Sequence, residues 1–172
     1  MTAPVNPCVV DTNVPLTANG GADLLCQRAC VEAIEVLMGS GHIVIDDKFR
    51  IIKEYMNKLS PSGQPGLGDA FLKWVLTNQT NPERCTRVEL TPQPHDPRDF
   101  EEFPPDEALA GFDPSDRKFV AVSCAHPAHP PILQATDSKW WGLREALARC
   151  GVNVHVLCPD HIKELHKRKT GS

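Results

Sequence analysis

Four short apolar runs punctuate this chain, with helical periodicity between them, and few folds accommodate that order. Cys8-Val9-Val10 stops at Asp11, residues 42–45 stop before Asp46, residues 132–135 stop at Thr136-Asp137, and Val152, Val154 and Val156 alternate near the end. Runs so short and apolar read as strands, buried on both faces where they are continuous. Residues 24–38 place Leu25, Ala29, Ala33 and Leu37 at helical spacing, with Cys26, Cys30, Ile34 and Met38 beside them, and Gly39 closes the pattern. Residues 48–59 repeat it with Phe49, Ile52, Met56 and Leu59 before Pro61. Residues 69–76 and 139–150 are further helices, the latter with Gly151 as its C-terminal stop, and Asp113-Pro114-Ser115-Asp116 opens one through Ser123. Strands alternating with helices predict an α/β fold with a central, mainly parallel sheet and helices on both faces.

A length of 172 residues fits one domain with a core of its own. The expected division is a single domain over residues 1–160, with a proline-rich, acidic insertion at 78–111 that holds a short strand around 87–90. A basic C-terminal tail follows at 161–172, where Lys163, Lys167, Arg168 and Lys169 surround His166. That tail is read as solvated in preference to touching a nucleic-acid backbone. Residues 60–68 form a loop without the Gly-Lys-Ser/Thr of a phosphate-binding loop, and His126 and His129 fall in a helix-to-strand linker. No apolar run approaches the ~20 residues of a membrane helix, and residues 1–7 lack a leader pattern, so the expectation is a cytoplasmic protein. Seven cysteines, an odd number, suit a reducing compartment. Cys26 and Cys30 stand one helical turn apart, but with no second Cys/His pair of matching spacing read after them, buried core thiols are expected there.

A net charge of −4 argues against a simple nucleic-acid-binding module. It argues less against a metal-dependent enzyme whose acids are ligands. In open parallel sheets the chemistry sits at the carboxyl ends of the strands. Asp11 and Asp137 stand there, and Glu54 and Asp116 lie on helices that reach the same edge. With Phe49 at zero, Glu54 falls at about 140°, away from an apolar centre near 300°, so it is not aimed at the core. Asp116 shares a face with Phe119, Val120 and Ser123, so its carboxylate needs a partner or a metal. Asp113 before Pro114 reads as a helix N-cap, with a place among the ligands as a possible extra role.

Val9-Val10-Asp11-Thr12-Asn13 resembles the opening of the PIN-domain family, an apolar strand followed by Asp-Thr-Asn. Glu54 lies on the helix after the second strand, where that family keeps its second acid. Asp116-Arg117-Lys118-Phe119-Val120-Ala121-Val122 is similar to the third motif, and Leu133-Gln134-Ala135-Thr136-Asp137-Ser138-Lys139-Trp140 to the fourth. The resemblance implies a three-layer α/β/α fold and a Mg²⁺- or Mn²⁺-dependent endonuclease, with RNA the favoured substrate and DNA a second, leaving 5′-phosphate and 3′-hydroxyl ends. Asp11, Glu54, Asp116 and Asp137 would be the metal ligands and catalytic acids. Thr12, Asn13, Thr136 and Ser138 would hydrogen-bond the ligands or the phosphate. It also implies a toxin or defence-system role, with an antitoxin or other protein partner, or a second copy of the chain, as partners, and no membrane. The long 78–111 segment, the Trp140-Trp141 pair and the extra Asp46-Asp47, expected at the rim of the site, depart from the pattern. Two alternatives stand beside this reading. One is a catalytically silent scaffold that binds RNA or protein. The other is a HAD-like phosphatase, which wants a second Asp where this chain has Asn13.

Overall fold

The computed structural model describes residues 6–171, so residues 1–5 of the stretch read for a leader, and Ser172 at the end of the expected tail, lie outside the described residues. In chain order the elements are β1 (Val9–Val10), α1 (Asn13–Ala18), α2 (Leu24–Ser40), β2 (Ile43–Asp46), α3 (Arg50–Lys58), α4 (Leu67–Asn78), β3 (Cys85–Val88), β4 (Pro92–Gln93), β5 (Asp96–Phe100), α5 (Arg117–Ala125), β6 (Ile132–Gln134), α6 (Ser138–Arg149), β7 (Val154–Val156) and α7 (Pro159–Thr170). The fold is mixed α/β. A three-stranded ladder β1-β6-β7 and a two-stranded ladder β2-β3 are joined by a parallel bridge between Cys8 and Ile43. The strand order is therefore β3-β2-β1-β6-β7, and every pairing in it is parallel.

The central strands are buried along their whole length because Val9, Val10, Ile43, Val44, Ile45, Ile132 and Leu133 are apolar on both faces. The register pairs Val9 with Ile132 and Val10 with Leu133, so Asp11 leaves the sheet at the same edge as Ala135 to Asp137. Helix α5 packs across β1, β2 and β6 through Phe119, Val120 and Val122, and α3 packs on β2. Helix α1, a short element the sequence pattern did not announce, turns the chain away from β1 and packs on α4. A Cβ at Gly68 would lie 1.8 Å from the Pro15 carbonyl oxygen, so only glycine fits that crossing.

Several expectations are corrected. Phe49 and Met56 do not belong to the inward face of α3; they are 38% and 49% exposed, while Ile52 and Leu59 are buried as expected and Ile51 and Tyr55 are buried beside them. The reason lies at the strand end. The fully buried Asp46 accepts the backbone N–H groups of Arg50 at 2.9 Å and Ile51 at 2.9 Å, which starts the helix at Arg50 and leaves Phe49 outside it in a left-handed conformation. The expected strand at 87–90 begins two residues earlier, at Cys85, where it pairs with β2, and β4 and β5 form an antiparallel hairpin inside the same insertion. The C-terminal segment is not an irregular tail. Pro159 opens α7, Gly171 closes it in the left-handed conformation, Ile162 is buried, and His166 lies over Gly142 of α6. Lys163, Lys167, Arg168 and Lys169 remain on its exposed side. Cys26 is not a free thiol: it is bonded to Cys158, 132 residues away, with the Cα atoms 5.2 Å apart. The other five cysteines are free, with Cys8, Cys30 and Cys85 buried.

Asp46 bonds the Arg50 guanidinium at 3.2 Å as well as the helix N–H groups, so its carboxylate is spent on α3 and not on the site. Asp46→Ala would leave those N–H groups buried without an acceptor. Denaturant unfolding should show a loss of about 2–4 kcal/mol, the sum of a lost cap and unpaired donors. A change below about 0.5 kcal/mol would contradict this account of how α3 begins.

Candidate active site

The carboxyl edge of the sheet gathers acids from separate elements. Asp11, just past β1, is only 5% exposed. Its backbone N–H donates to the Leu133 carbonyl at 3.1 Å and its Oδ1 accepts the Asn13 N–H at 2.9 Å. Burial pushes its carboxyl well above the ordinary carboxylate range, and the charges of Asp116, Glu54 and Asp137 add to that rise against the Asn13 hydrogen bond. Asp116, where a 3₁₀ turn at Pro114–Asp116 runs into α5, is pushed up to about 6 by burial first, then by Asp137, Asp113 and Glu54, with Lys118 opposing. Four carboxylates of chain positions as distant as 11 and 137 thus share one electrostatic field.

Glu54 leaves the flank of α3 that points away from the core. Its Oε2 accepts the Thr12 hydroxyl, and its Oε1 bonds the Lys118 ammonium at 2.7 Å. Lys118 also donates to the Ser115 carbonyl, so one lysine supplies part of the missing positive charge. Below this edge the Tyr55 hydroxyl donates to the Val10 carbonyl and ties α3 to β1. Asp137 caps α6, its Oδ1 accepting the Lys139 N–H at 3.1 Å. Asp113 caps the 3₁₀ turn by accepting the Ser115 N–H at 3.0 Å and hydroxyl at 2.8 Å, and its other oxygen lies 3.6 Å from the Lys139 ammonium. Asp46 and Asp47 are committed elsewhere, Asp46 to α3 and Asp47 to the Leu90 N–H at 3.2 Å.

Of the four short polar residues flanking the acids, the structure brings two into the network. Thr12 holds Glu54. Asn13 holds Asp11 through its N–H, while its side-chain oxygen accepts the Ala135 N–H at 3.0 Å and its amide donates to Gln134. Among the described residues neither Thr136 nor Ser138 hydrogen-bonds these carboxylates; Ser138 is buried and Thr136 faces a neighbouring cavity with His161. Gln134 and Lys118 were not singled out from the sequence. A glutamine inside an apolar strand is the signal for the first, because a buried amide requires partners. Nothing distinguishes Lys118 from other exposed-looking helix lysines until α5 is placed beside Glu54.

A cavity of about 320 Å³ adjoins Asp116, walled by Phe112, Asp113, Lys139, Trp140 and Leu143. Among the described residues the indole N–H of the fully buried Trp140 has no hydrogen-bond partner. The acids are more widely spaced than a closed ligand set. Among the described residues the trio of metal-ligating side chains with donor atoms all within 4.8 Å of one another is Cys26, Cys30 and Cys158. No helix among the described residues is long and apolar enough to cross a membrane. No family model, curated protein or solved structure matches the chain.

The raised carboxyls fix a direction for pH dependence. Asp116 holds its proton more tightly folded than unfolded, so folding takes up a proton between the ordinary carboxylate range near 4 and about 6, and Asp11, raised well above that ordinary range, acts in the same direction. Stability therefore falls as pH rises through that window. Without divalent ions, the melting temperature should be higher at pH 5 than at pH 7.5, and Asp116→Asn should flatten the difference. A wild-type melting temperature that climbs from pH 5 to 7.5 by as much as that of Asp116→Asn would contradict the shared field.

Proposed function

We propose that this chain is a divalent-metal-dependent nuclease of PIN-like, three-layer architecture that hydrolyses phosphodiester bonds, with RNA the favoured substrate. One observation carries the reading: Asp11, Glu54, Asp116 and Asp137 come from four separate parts of the chain to one sheet edge, and the charge on each of three of them raises the proton affinity of Asp11. An arrangement that destabilises the bare protein calls for a cation to offset it. The donors are all carboxylate oxygens, which suits Mg²⁺ or Mn²⁺. Asp11, Glu54, Asp116 and Asp137 would hold the ion. When bound, it supplies an acidified water and countercharge for the phosphate oxygens.

The chain's own groups divide the remaining work. Asn13 and Thr12 fix the orientation of Asp11 and Glu54 through the bonds described above. Lys118 holds Glu54 by its other oxygen and offsets part of its charge. Lys139 at the mouth of the cavity beside Asp116 offers a positive charge for a backbone phosphate flanking the cut. The phosphatase alternative loses support because the Asn13 side chain is engaged by Ala135 and Gln134 and is not free to act on a substrate.

Asp113 and Asp116 provide the test, because both have a structural role in one turn and only the second is assigned to the metal. Asp113→Asn keeps a cap-competent oxygen and should retain stability within about 0.5 kcal/mol and activity within a few-fold. Asp116→Asn should fold as well as the wild type without metal and lose roughly 100-fold or more of its Mg²⁺- or Mn²⁺-dependent cleavage of labelled RNA. A fully active Asp116→Asn protein would overturn the assignment. A wild type that binds RNA and never cuts it would favour the silent scaffold.

A further inference from the structure

Away from the carboxylates, three cysteines converge where α2 and α7 begin. Cys26 sits in the first turn of α2, Cys30 one turn later, and Cys158 at the cap of α7. Their relative exposures are 2%, 0% and 6%, and the three sulfur atoms lie within 4.8 Å of one another. A disulfide between Cys26 and Cys158 needs no third sulfur, yet Cys30 is placed against it. Sulfurs bound to one tetrahedral zinc, at Zn–S of about 2.3 Å, stand about 3.8 Å apart. The trio is therefore spaced to close on an ion by small side-chain rotations once the disulfide is opened.

We propose that Cys26, Cys30 and Cys158 form a thiolate site for a thiophilic divalent cation, zinc being the natural choice, which replaces the Cys26–Cys158 disulfide in the reduced protein. Opening the disulfide consumes two molecules of a thiol reductant, which become its disulfide, and leaves Cys26 and Cys158 as thiols. Binding the cation then releases one proton from each of the three cysteines. Cys26 and Cys158 lie at helix N-termini; that of α2 is capped by the Asp23 carboxylate, and that of α7 has no side-chain cap. Cys30 contributes by position: it is fully buried one helical turn from Cys26, with its sulfur inside the same 4.8 Å group as the two disulfide sulfurs. His161, three residues after Cys158, falls outside the 4.8 Å group, so the site is one of three sulfurs. Either link, the disulfide or the bound cation, pins α7 to α2.

Cadmium is the probe, because its thiolate complexes absorb by ligand-to-metal charge transfer and carboxylate complexes do not. Titrations run in excess Mg²⁺, to keep the acidic cluster occupied, on oxidised protein and on protein reduced and freed of reductant. The reduced protein should bind one equivalent with charge-transfer absorption, and the oxidised protein none. Cys30→Ser should keep the disulfide when oxidised, with four free thiols counted after denaturation against five for wild type. When reduced, it should bind cadmium roughly 100-fold more weakly or worse. Cys30→Ala serves if the serine variant does not fold, and zinc should raise the melting temperature of the reduced wild type above that of either variant. Wild-type affinity in the Cys30 variants, or no thiolate absorption in the reduced wild type, would overturn the site.

Discussion

Asn13 is the residue on which the geometry of the acidic edge depends. Its backbone N–H holds Asp11, its side-chain oxygen takes the Ala135 N–H, and its amide reaches Gln134 inside β6. These bonds clamp the end of β1 to the end of β6 across more than a hundred residues of intervening chain. The parallel pairing of Val9 with Ile132 and Val10 with Leu133 sets the register, and Asn13 carries that register past the last ladder bond. Without it the chain after Asp11 and the chain before Asp137 would be two loops at one sheet edge. With it they are two walls of one site, and α1 leaves in a fixed direction toward α4.

The clamp creates an electrostatic problem as well as a site. Asp11 is buried beside acids that repel it, and Lys118 answers only part of that charge through Glu54. Charges brought together in this way weaken the bare fold and strengthen the hold on anything positive. Two other acids at the same edge show the contrast. Asp46 and Asp47 bond backbone N–H groups, and those bonds build α3 and fasten the insertion. The same side chain therefore supports the fold at the end of β2 and strains it at the end of β1. What decides between the two is what each carboxylate faces: three backbone N–H groups and the Arg50 guanidinium for Asp46, one N–H and three other acids for Asp11.

Much of this was legible in the sequence. Apolar runs followed by acids located β1, β2 and β6, and the parallel arrangement followed from the helices between them. Asp113-Pro114 announced its own cap. The angular position of Glu54 marked it as turned from the core, and the structure places it against Thr12 and Lys118. What escaped did so for physical reasons. Phe49 fits the periodic face of α3, but Asp46 caps the helix one residue later and turns Phe49 out. α7 shows few apolar residues because it is covered on one narrow side, by Ile162 and the contact of His166 with Gly142. The Cys26–Cys158 bond links positions that only the packing of α7 brings together. Lys118 gains its partner the same way, from an α5 placed beside α3.

The central claim is that the four carboxylates are built to hold a hard divalent cation. Calorimetric titration of the metal-free protein with Mn²⁺ near pH 6, in two buffers of different ionisation enthalpy, measures affinity and proton release together. Saturable binding accompanied by proton release is expected, because Asp116, pushed up to about 6, and Asp11 above its ordinary range must ionise to bind. Asp11→Asn, folded and no less stable, should bind at least about tenfold more weakly. Mn²⁺ binding that is undetectable in the wild type, or unchanged in affinity and proton release when Asp11 is replaced, would contradict that claim.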